Sequence, residues 1–537
     1  MAGAALFAAY LAQSTHGTYV NSDGASNALQ AWDMLHGNVL LHGWALADVS
    51  FYTTDLPQYV LVEAIRGLGP DAVHTAAALT YTVLVLLAGW LAKGKATGSE
   101  GVTRFLVAAG IMLAPQLGSP TGILLLSPDH VATALPLLAA MLVIDRVDRP
   151  GWLVPAVVGV LLAWTAVGDP LAEVIGALPL SAVCAVLAPG GRPPGDPPSF
   201  SGGSHPPDPL AEGTHPPRPP LGGISSPQTR SGRPPRSYLM GLLVAAVASV
   251  PAAWLVTRLI SHSGGWTVTP YQTGLAGWGS LGRNATLTGE GLLQLFGADF
   301  LGQPQLHLTV FAFAHLIGIA LVAWAFGLAV RRFFGADLLV QVLATAIAVN
   351  LAAYLFTVQA QDITRTREMA AVLPFGAVLA GRLLAGPLLR ARLVPAMAVV
   401  LAGYAGMLAA DVVQPAVPAP YAALAGWLAG HDLTRGLAGY WQASSVTLDS
   451  RGKVQVRPVT ISGGQLAIEA WWDSRKSWYD PATGYADFIV SVSPPQRWQD
   501  AAMIRATEAI AGRPDKVYQF GAFTIAVWPR NLLPRLP

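Results

Sequence analysis

The chain has 537 residues, of which 53% are hydrophobic and only 12% charged, with a mean hydropathy of +0.47. That is too apolar for a soluble chain of this length and places it among polytopic membrane proteins. A net charge of +2 gives no footprint for nucleic acid as a partner, and the single Cys184 excludes an internal disulfide.

Windows of about 20 residues mark apolar stretches at 1–19, 73–92, 104–117, 130–145, 152–167, 171–188, 237–260, 307–329, 338–357, 370–387 and 393–412, about eleven spans in all. The first is weak: Met1 to Gln13 is short and lacks a basic flank, so the true start can lie upstream, with a cleaved signal peptide as the alternative. Residues 14–72 then form the first outer loop, opening on Asn21-Ser22-Asp23-Gly24. An acid held at the edge of a membrane is a candidate for chemistry on a lipid-borne substrate. From Asn27 to His36, apolar Ala28, Leu29, Trp32 and Leu35 follow a helical stripe opposed by Asn27, Gln30 and Asp33, and Gly37 can end the helix. This predicts an interfacial helix with Asp23 at or just before its N-terminus, where the carboxylate either caps the helix or stays free for chemistry.

Orientation follows from the basic residues. With the N-terminus in the cytoplasm, Lys93, Lys95, Arg104, Arg146, Arg149, the arginines of the 189–236 segment, Arg331, Arg332, Arg390 and Arg392 all fall inside. Arg365 and Arg367 break the pattern by lying outside, beside the tenth span. Asp55, Asp129, His130 and Asp169 fall on that same outer side, Asp129-His130 at the start of the fourth span and Asp169-Pro170 between the fifth and sixth. Capping and turn formation are the structural alternatives for these acids, and snorkelling that for the arginines.

Pro189 to Arg236 is dense in Pro, Gly and Ser and reads as a disordered cytoplasmic linker between membrane halves at 1–188 and 237–412. Tyr271 to Gly302 is a long outer loop that could cover a lipid chain. Beyond residue 412 the periodicity changes: Tyr421–Ala429 reads as a short helix, Lys453–Val459 and Ala486–Val492 as strands, Gln499–Ala511 as a helix, and Val517–Trp528 as a hairpin turning near Gly521. These elements predict a small extracytoplasmic α/β domain over 413–537, in which Trp471-Trp472 and Trp478-Tyr479 could stack on sugar rings.

The run from Asp23 through Gly37, followed by Phe51-Tyr52-Thr53-Thr54-Asp55-Leu56-Pro57, resembles the first loop of the GT-C superfamily of membrane glycosyltransferases. Arg365-Thr366-Arg367-Glu368-Met369-Ala370 before a span, and Gly439-Tyr440-Trp441-Gln442-Ala443 opening the last domain, are similar to the layout of actinobacterial members. Many members carry an Asp-Glu pair in the first loop, whereas here Gly24 follows Asp23. The resemblance implies an α-helical polytopic fold with an extracytoplasmic domain. It also implies an enzyme of the plasma membrane that takes a sugar from a polyprenyl-phosphate and transfers it, with inversion, to a glycan, lipid or protein acceptor.

Such chemistry needs a base for the acceptor hydroxyl and positive charge for the leaving phosphate. Asp23 is the candidate base, and Arg365 and Arg367 the candidate phosphate ligands. Asp55, Asp129 and Asp169, with His130, could bind the acceptor or a divalent cation such as Mg or Mn, although no tight ligand spacing marks a metal site. A transporter or flippase of a lipid-linked saccharide is the competing reading, and would place charges mid-span. A non-catalytic envelope assembly protein is a third.

Overall fold

The computed structural model describes residues 1–147, 151–190, 234–270, 273–300, 306–417, 419–492 and 498–536. Nearly all of the Pro-rich linker lies outside these residues. The N-terminal half runs α1 (Ala2–Gly17), α2 (Ser22–Leu35), β1 (Trp44–Leu46), α3 (Leu56–Arg66), α4 (Pro70–Lys93), α5 (Gly98–Ile111), α6 (Ser119–Leu124), α7 (Ala134–Arg146), α8 (Leu153–Gly168) and, after a π-helical turn, α9 (Leu178–Leu187). The second half contains α10 (Arg236–His262), β2 (Thr267–Val268), α11 (Leu281–Leu295), α12 (Leu306–Arg331), α13 (Leu338–Phe356), a 3-10 turn at Ile363–Met369, α14 (Val372–Arg390) and α15 (Val394–Val412). Proline opens α3, α4 and α15, where its missing N–H would have had no helical partner.

Among the described residues, α4, α10, α12, α13, α14 and α15 are long and apolar enough to cross a membrane, so the chain is a multi-pass membrane protein. Each of the other five apolar stretches also contains a helix, but a shorter one: α1 has 16 residues, α5 has 14 and α7 has 13. Helix α5 starts at Gly98 and stops before Pro115, and α7 starts only at Ala134, leaving Asp129-His130 in the preceding loop. An apolar window does not see where the backbone ladder breaks. Within the bundle, α4 and α14 are mostly buried (72% and 67% of their apolar windows) while α10, α12 and α15 are mostly not (28%, 28% and 17%). The former are the centre, and the latter carry exposed apolar side chains such as Trp254, Leu255 and Leu259 for lipid to cover. At one end, the 6%-exposed Arg382 of α14 ties Asp145 (2.6 Å), Asp337 (3.6 Å) and the Leu91 carbonyl together.

The last domain comprises α16 (Pro420–Gly430), β3 (Arg435–Ala438), α17 (Tyr440–Asp449), β4 (Gln455–Ser462), β5 (Gln465–Ile468), β6 (Ser474–Arg475), β7 (Phe488–Val492), α18 (Trp498–Ala511), β8 (Lys516–Phe520) and β9 (Phe523–Val527). Its six-stranded sheet has the order β5-β4-β3-β7-β9-β8, with β4, β3 and β7 mutually parallel. Period-two alternation sends Phe488 and Val490 to one face, under Leu424, Leu428 and Val446, and Ile489 to the other, with Met503 and Trp528. The expected strands, helices and hairpin all form, and the hairpin turns on Gly521 at φ +55°. Sequence reading missed β3, α17 and the short strands β5 and β6. Strand β3 is short and carries Gly436, where a Cβ would stand 2.2 Å from the Phe488 ring.

The loop between α1 and α4 is clamped to this domain. Strand β1 pairs with β2 in parallel and β6 in antiparallel sense, joining both membrane halves to the last domain. Helix α2 begins at Ser22, which puts Asp23 in its first turn, and is not laid flat on a membrane with its polar side in water. It packs on α3, α4 and α17, and polar Asn27 and Gln30 are as buried as Ala28. The polar stripe faces polar partners: Ser22 donates to the Tyr440 carbonyl (2.6 Å) and Ser26 to Ser444 (2.9 Å). Nor is Tyr271 to Gly302 structureless throughout, because its α11 packs against the Ile363–Met369 turn.

Candidate active site

A cavity of about 660 Å³ opens where the α1–α4 loop, the Ile363–Met369 turn and the last domain meet. Asp23, Asp129, His130, Arg365 and Arg367 line it; Asp55 and Asp169 do not. Asp23 reaches it because another residue starts its helix. Asn21, in extended backbone, accepts from Gly24 N at 3.0 Å, so Asn21 is the cap and the Asp23 carboxylate is released from that task. Gly24 also lets α2 come close: a Cβ there would stand 3.0 Å from Val73 and 3.2 Å from Ser127, beside the loop that carries Asp129.

Arg367 binds two acids at once. Its Nη1 and Nη2 both lie 3.3 Å from Asp23 Oδ2, and Nη1 lies 3.2 Å from Asp129 Oδ2. Burial works against the guanidinium, but the two carboxylates outweigh it and hold its pKa above the usual value. Asp129 is sealed, at 3% exposed, and accepts from Asn27 Nδ2 (2.9 Å) and Ser127 Oγ (2.7 Å). Burial pushes its carboxyl up, with Arg367 opposing. Arg365 pairs with Glu368 at 3.2 Å and reaches Asp48 at 3.9 Å.

The remaining expected site residues serve each other. His130 Nδ1 lies 2.9 Å from Asp169 Oδ2, which also accepts from Thr133 Oγ1 at 2.5 Å. Burial favours the neutral imidazole, but the Asp169 carboxylate prevails and raises His130 to about 9. Asp169 is held below its usual value in spite of burial, chiefly by His130. Asp55 is fully buried with Oδ2 on Thr54 (2.5 Å) and Oδ1 without a partner, and burial, reinforced by Asp129, pushes its carboxyl well above the usual range. The four aspartates therefore fall into separate sets. Among the described residues no three His, Cys, Asp or Glu side chains are grouped to hold a metal ion, and the guanidinium of Arg367 stands between Asp23 and Asp129.

No protein-family profile matches this sequence, and no curated protein matches it. Among solved structures, the chain is similar to the apo crystal structure of ArnT from Cupriavidus metallidurans, with 12% identity and a TM-score of 0.41 over 98% of this chain and 96% of that one.

Two residues of the cavity escaped sequence reasoning. The Tyr440 hydroxyl lies 2.7 Å from Asp23 Oδ1 and 2.9 Å from Asp473 Oδ2. One O–H cannot donate to two carboxylates, so one acid must supply the second proton. Asp23 is balanced by Arg367, whereas Asp473 is met by Gln30 Nε2 and Ala47 N, both at 3.1 Å. Burial, reinforced by Asp23, raises Asp473 to about 7. The extra proton thus belongs to Asp473, which donates to Tyr440, which donates to Asp23. The signals were present in Tyr440, within a segment already singled out, and in Asp473, directly after Trp471-Trp472. Both tryptophans line the cavity, Trp471 being 54% exposed. Three non-glycine residues of the lining, Phe51, His130 and Asp473, hold positive φ (49°, 59° and 41°), a conformation that the surrounding contacts must enforce.

Proposed function

We propose that this protein is a membrane glycosyltransferase of the GT-C type, moving a sugar from a polyprenyl-phosphate donor to an acceptor hydroxyl with inversion. The observation that carries the reading is the meeting of Asp23 and Arg367, 344 positions apart in sequence, at one cavity beside exposed indoles. A carboxylate that can take a proton and a guanidinium that can hold a phosphate are the two groups the reaction needs. The acceptor oxygen attacks the anomeric carbon opposite the phosphate. The bond from that carbon to the phosphate oxygen breaks, its electron pair leaves on the phosphate, and Asp23 receives the hydroxyl proton. Arg367, with Arg365 alongside, offsets the charge gathering on the phosphate. A donor phosphate competing for Arg367 would also loosen the Asp23 ion pair, so that donor binding uncovers the base.

Asp129 and Asp473 are poor candidates for the base, because each is buried and held by hydrogen bonds from its neighbours. The cavity faces the extracytoplasmic side in this reading. In a Cys184→Ala background, cysteines placed in 450–480 should react with impermeant reagents from outside and those in 200–230 should not. The decisive test uses the full chain in nanodiscs with a polyprenyl-phosphate sugar and a membrane acceptor extract. Asp23→Asn should bind the donor at least as tightly as wild type and nearly keep its melting temperature, but lower transfer by about 10²- to 10⁴-fold. Since Asn21 is the cap, helix α2 keeps its N-terminal hydrogen bond, and Arg367 keeps Asp129 as a counter-charge. Undiminished transfer in this variant would remove Asp23 as the base.

A further inference from the structure

A second cavity, of about 360 Å³, lies between the α1–α4 loop and the last domain and shares no lining residue with the first. Three arginines, Arg451, Arg457 and Arg475, and three indoles, Trp32, Trp44 and Trp478, line it. Two of the arginines have acids: Arg475 binds Asp33 at 3.0 and 3.1 Å, and Arg451 reaches Asp71 at 3.4 Å. Arg457 has none among the described residues. Its guanidinium carbon stands 4.1 Å over the Trp478 ring, and its Nη2 donates to Gln455 Oε1 at 3.1 Å. Burial, with Arg475 and Arg435 nearby and Tyr479 acting the other way, lowers it to about 10, so it stays charged at neutral pH.

A half-buried cation stacked on an indole, with like charges beside it and no counter-charge, is costly, and an anion entering the cavity would relieve it. Stacking uses the face of a guanidinium and leaves its in-plane N–H groups available to two oxygens of a carboxylate or phosphate. The walls narrow the choice further. Trp44 meets Trp478 edge to face at 4.9 Å, and its Nε1 donates to Asp33 at 2.8 Å, so the indoles are fixed surfaces. Fixed indoles suit the C–H face of a sugar ring rather than a bare ion. We propose that this second cavity binds an acidic saccharide, with its carboxylate or phosphate on Arg457 and its ring against the indoles. The proposal does not depend on the chemistry assigned to the first cavity.

Full-length protein in phosphatidylcholine nanodiscs, titrated calorimetrically with glucuronate, glucose 6-phosphate, inorganic phosphate and glucose, tests it. Both acidic sugars should bind, glucose should not, and inorganic phosphate should bind at least about ten-fold more weakly. Arg457→Gln should weaken the acidic sugars by about ten-fold or more and Arg457→Lys by less, with melting curves showing that both variants fold. Arg367→Gln should leave this binding unchanged, which separates the two cavities. Binding that survives Arg457→Gln but fails in Arg367→Gln would place the sugars in the first cavity and overturn the proposal. So would inorganic phosphate binding as tightly as the acidic sugars, or binding suppressed by phosphatidylglycerol in the disc, which would mark a lipid-headgroup site. No heat from either acidic sugar would overturn it as well.

Discussion

Asp23–Arg367 and His130–Asp169 are both carboxylate–cation pairs at the same end of the bundle, yet the first keeps 22% and 23% of its side-chain surface open and the second only 8% and 1%. Openness decides what such a pair can do. The Asp23 pair joins two distant segments across a cavity, has water on one side, and can exchange a partner for a ligand. The His130 pair is closed in by Thr133 and by Phe51, whose ring stands edge-on to the imidazole at 5.3 Å. Its work is to hold a residue at φ +59° in the loop that delivers Asp129. Similar charges are open to a ligand in one place and closed off in the other because of what surrounds them.

Breaking the closed pair should give the largest stability effect. Asp169→Asn removes the charge that keeps His130 protonated, and the expected loss is roughly 3 kcal/mol near pH 6, read by thermal unfolding in detergent. The sign can be followed through pH. A histidine raised above its unfolded value adds stability that is complete below about pH 6.5 and disappears as pH rises through its folded value of about 9. Asp169, held low, contributes above about pH 4 and loses its contribution as pH falls through its folded value. Wild type should therefore lose melting temperature between those upper limits, and the variant should not. Equal melting of both proteins at pH 6 would show that the buried pair adds nothing.

The open pair should respond in binding instead. Arg367 makes three contacts to two carboxylates through a planar fork that an ammonium cannot reproduce. Arg367→Lys should weaken donor binding by about ten-fold, with little change in melting temperature because the charge facing Asp129 is retained. Unchanged donor affinity, measured directly with a polyprenyl-phosphate sugar, would make Arg367 an anchor for its own loop and send the phosphate site elsewhere.

The open pair was also the more legible one. Asp23 and Arg367 stood out because each contradicts its surroundings, an acid after the first apolar stretch and a basic cluster against the positive-inside pattern. His130 and Asp169 were placed at the same end of the bundle as Asp23 but not recognised as partners, since nothing in sequence distinguishes a sealed ion pair from two cavity ligands. Helix α2 misled because its Asn27 and Gln30 looked like a solvated side, when Asn27 supports Asp129 and Gln30 supports Asp473. Polar periodicity reports that a face needs polar partners, not that water supplies them. Tyr440, 417 positions from Asp23, is brought to the site only by docking of the last domain, which no local pattern encodes.

The sharpest test of where openness ends belongs to Asp473, which is buried yet bonded into the open pair through Tyr440. A carboxyl whose folded pKa lies near 7, above its unfolded value of about 3.9, costs the folded state nothing at acid pH and progressively more as pH rises towards 7. Asparagine reproduces the protonated form: its amide can donate to the Tyr440 oxygen while its carbonyl accepts from Gln30 and Ala47. Asp473→Asn should match wild-type stability below about pH 4 and exceed it increasingly as pH rises towards 8. Transfer activity gives a second readout. Above about pH 7 the wild-type Asp473 loses its proton and competes with Asp23 for the single Tyr440 hydrogen, so activity should fall along an alkaline limb that the variant lacks. An alkaline limb of the same position in both proteins would mean that the second proton sits elsewhere, and that Tyr440 serves Asp23 alone.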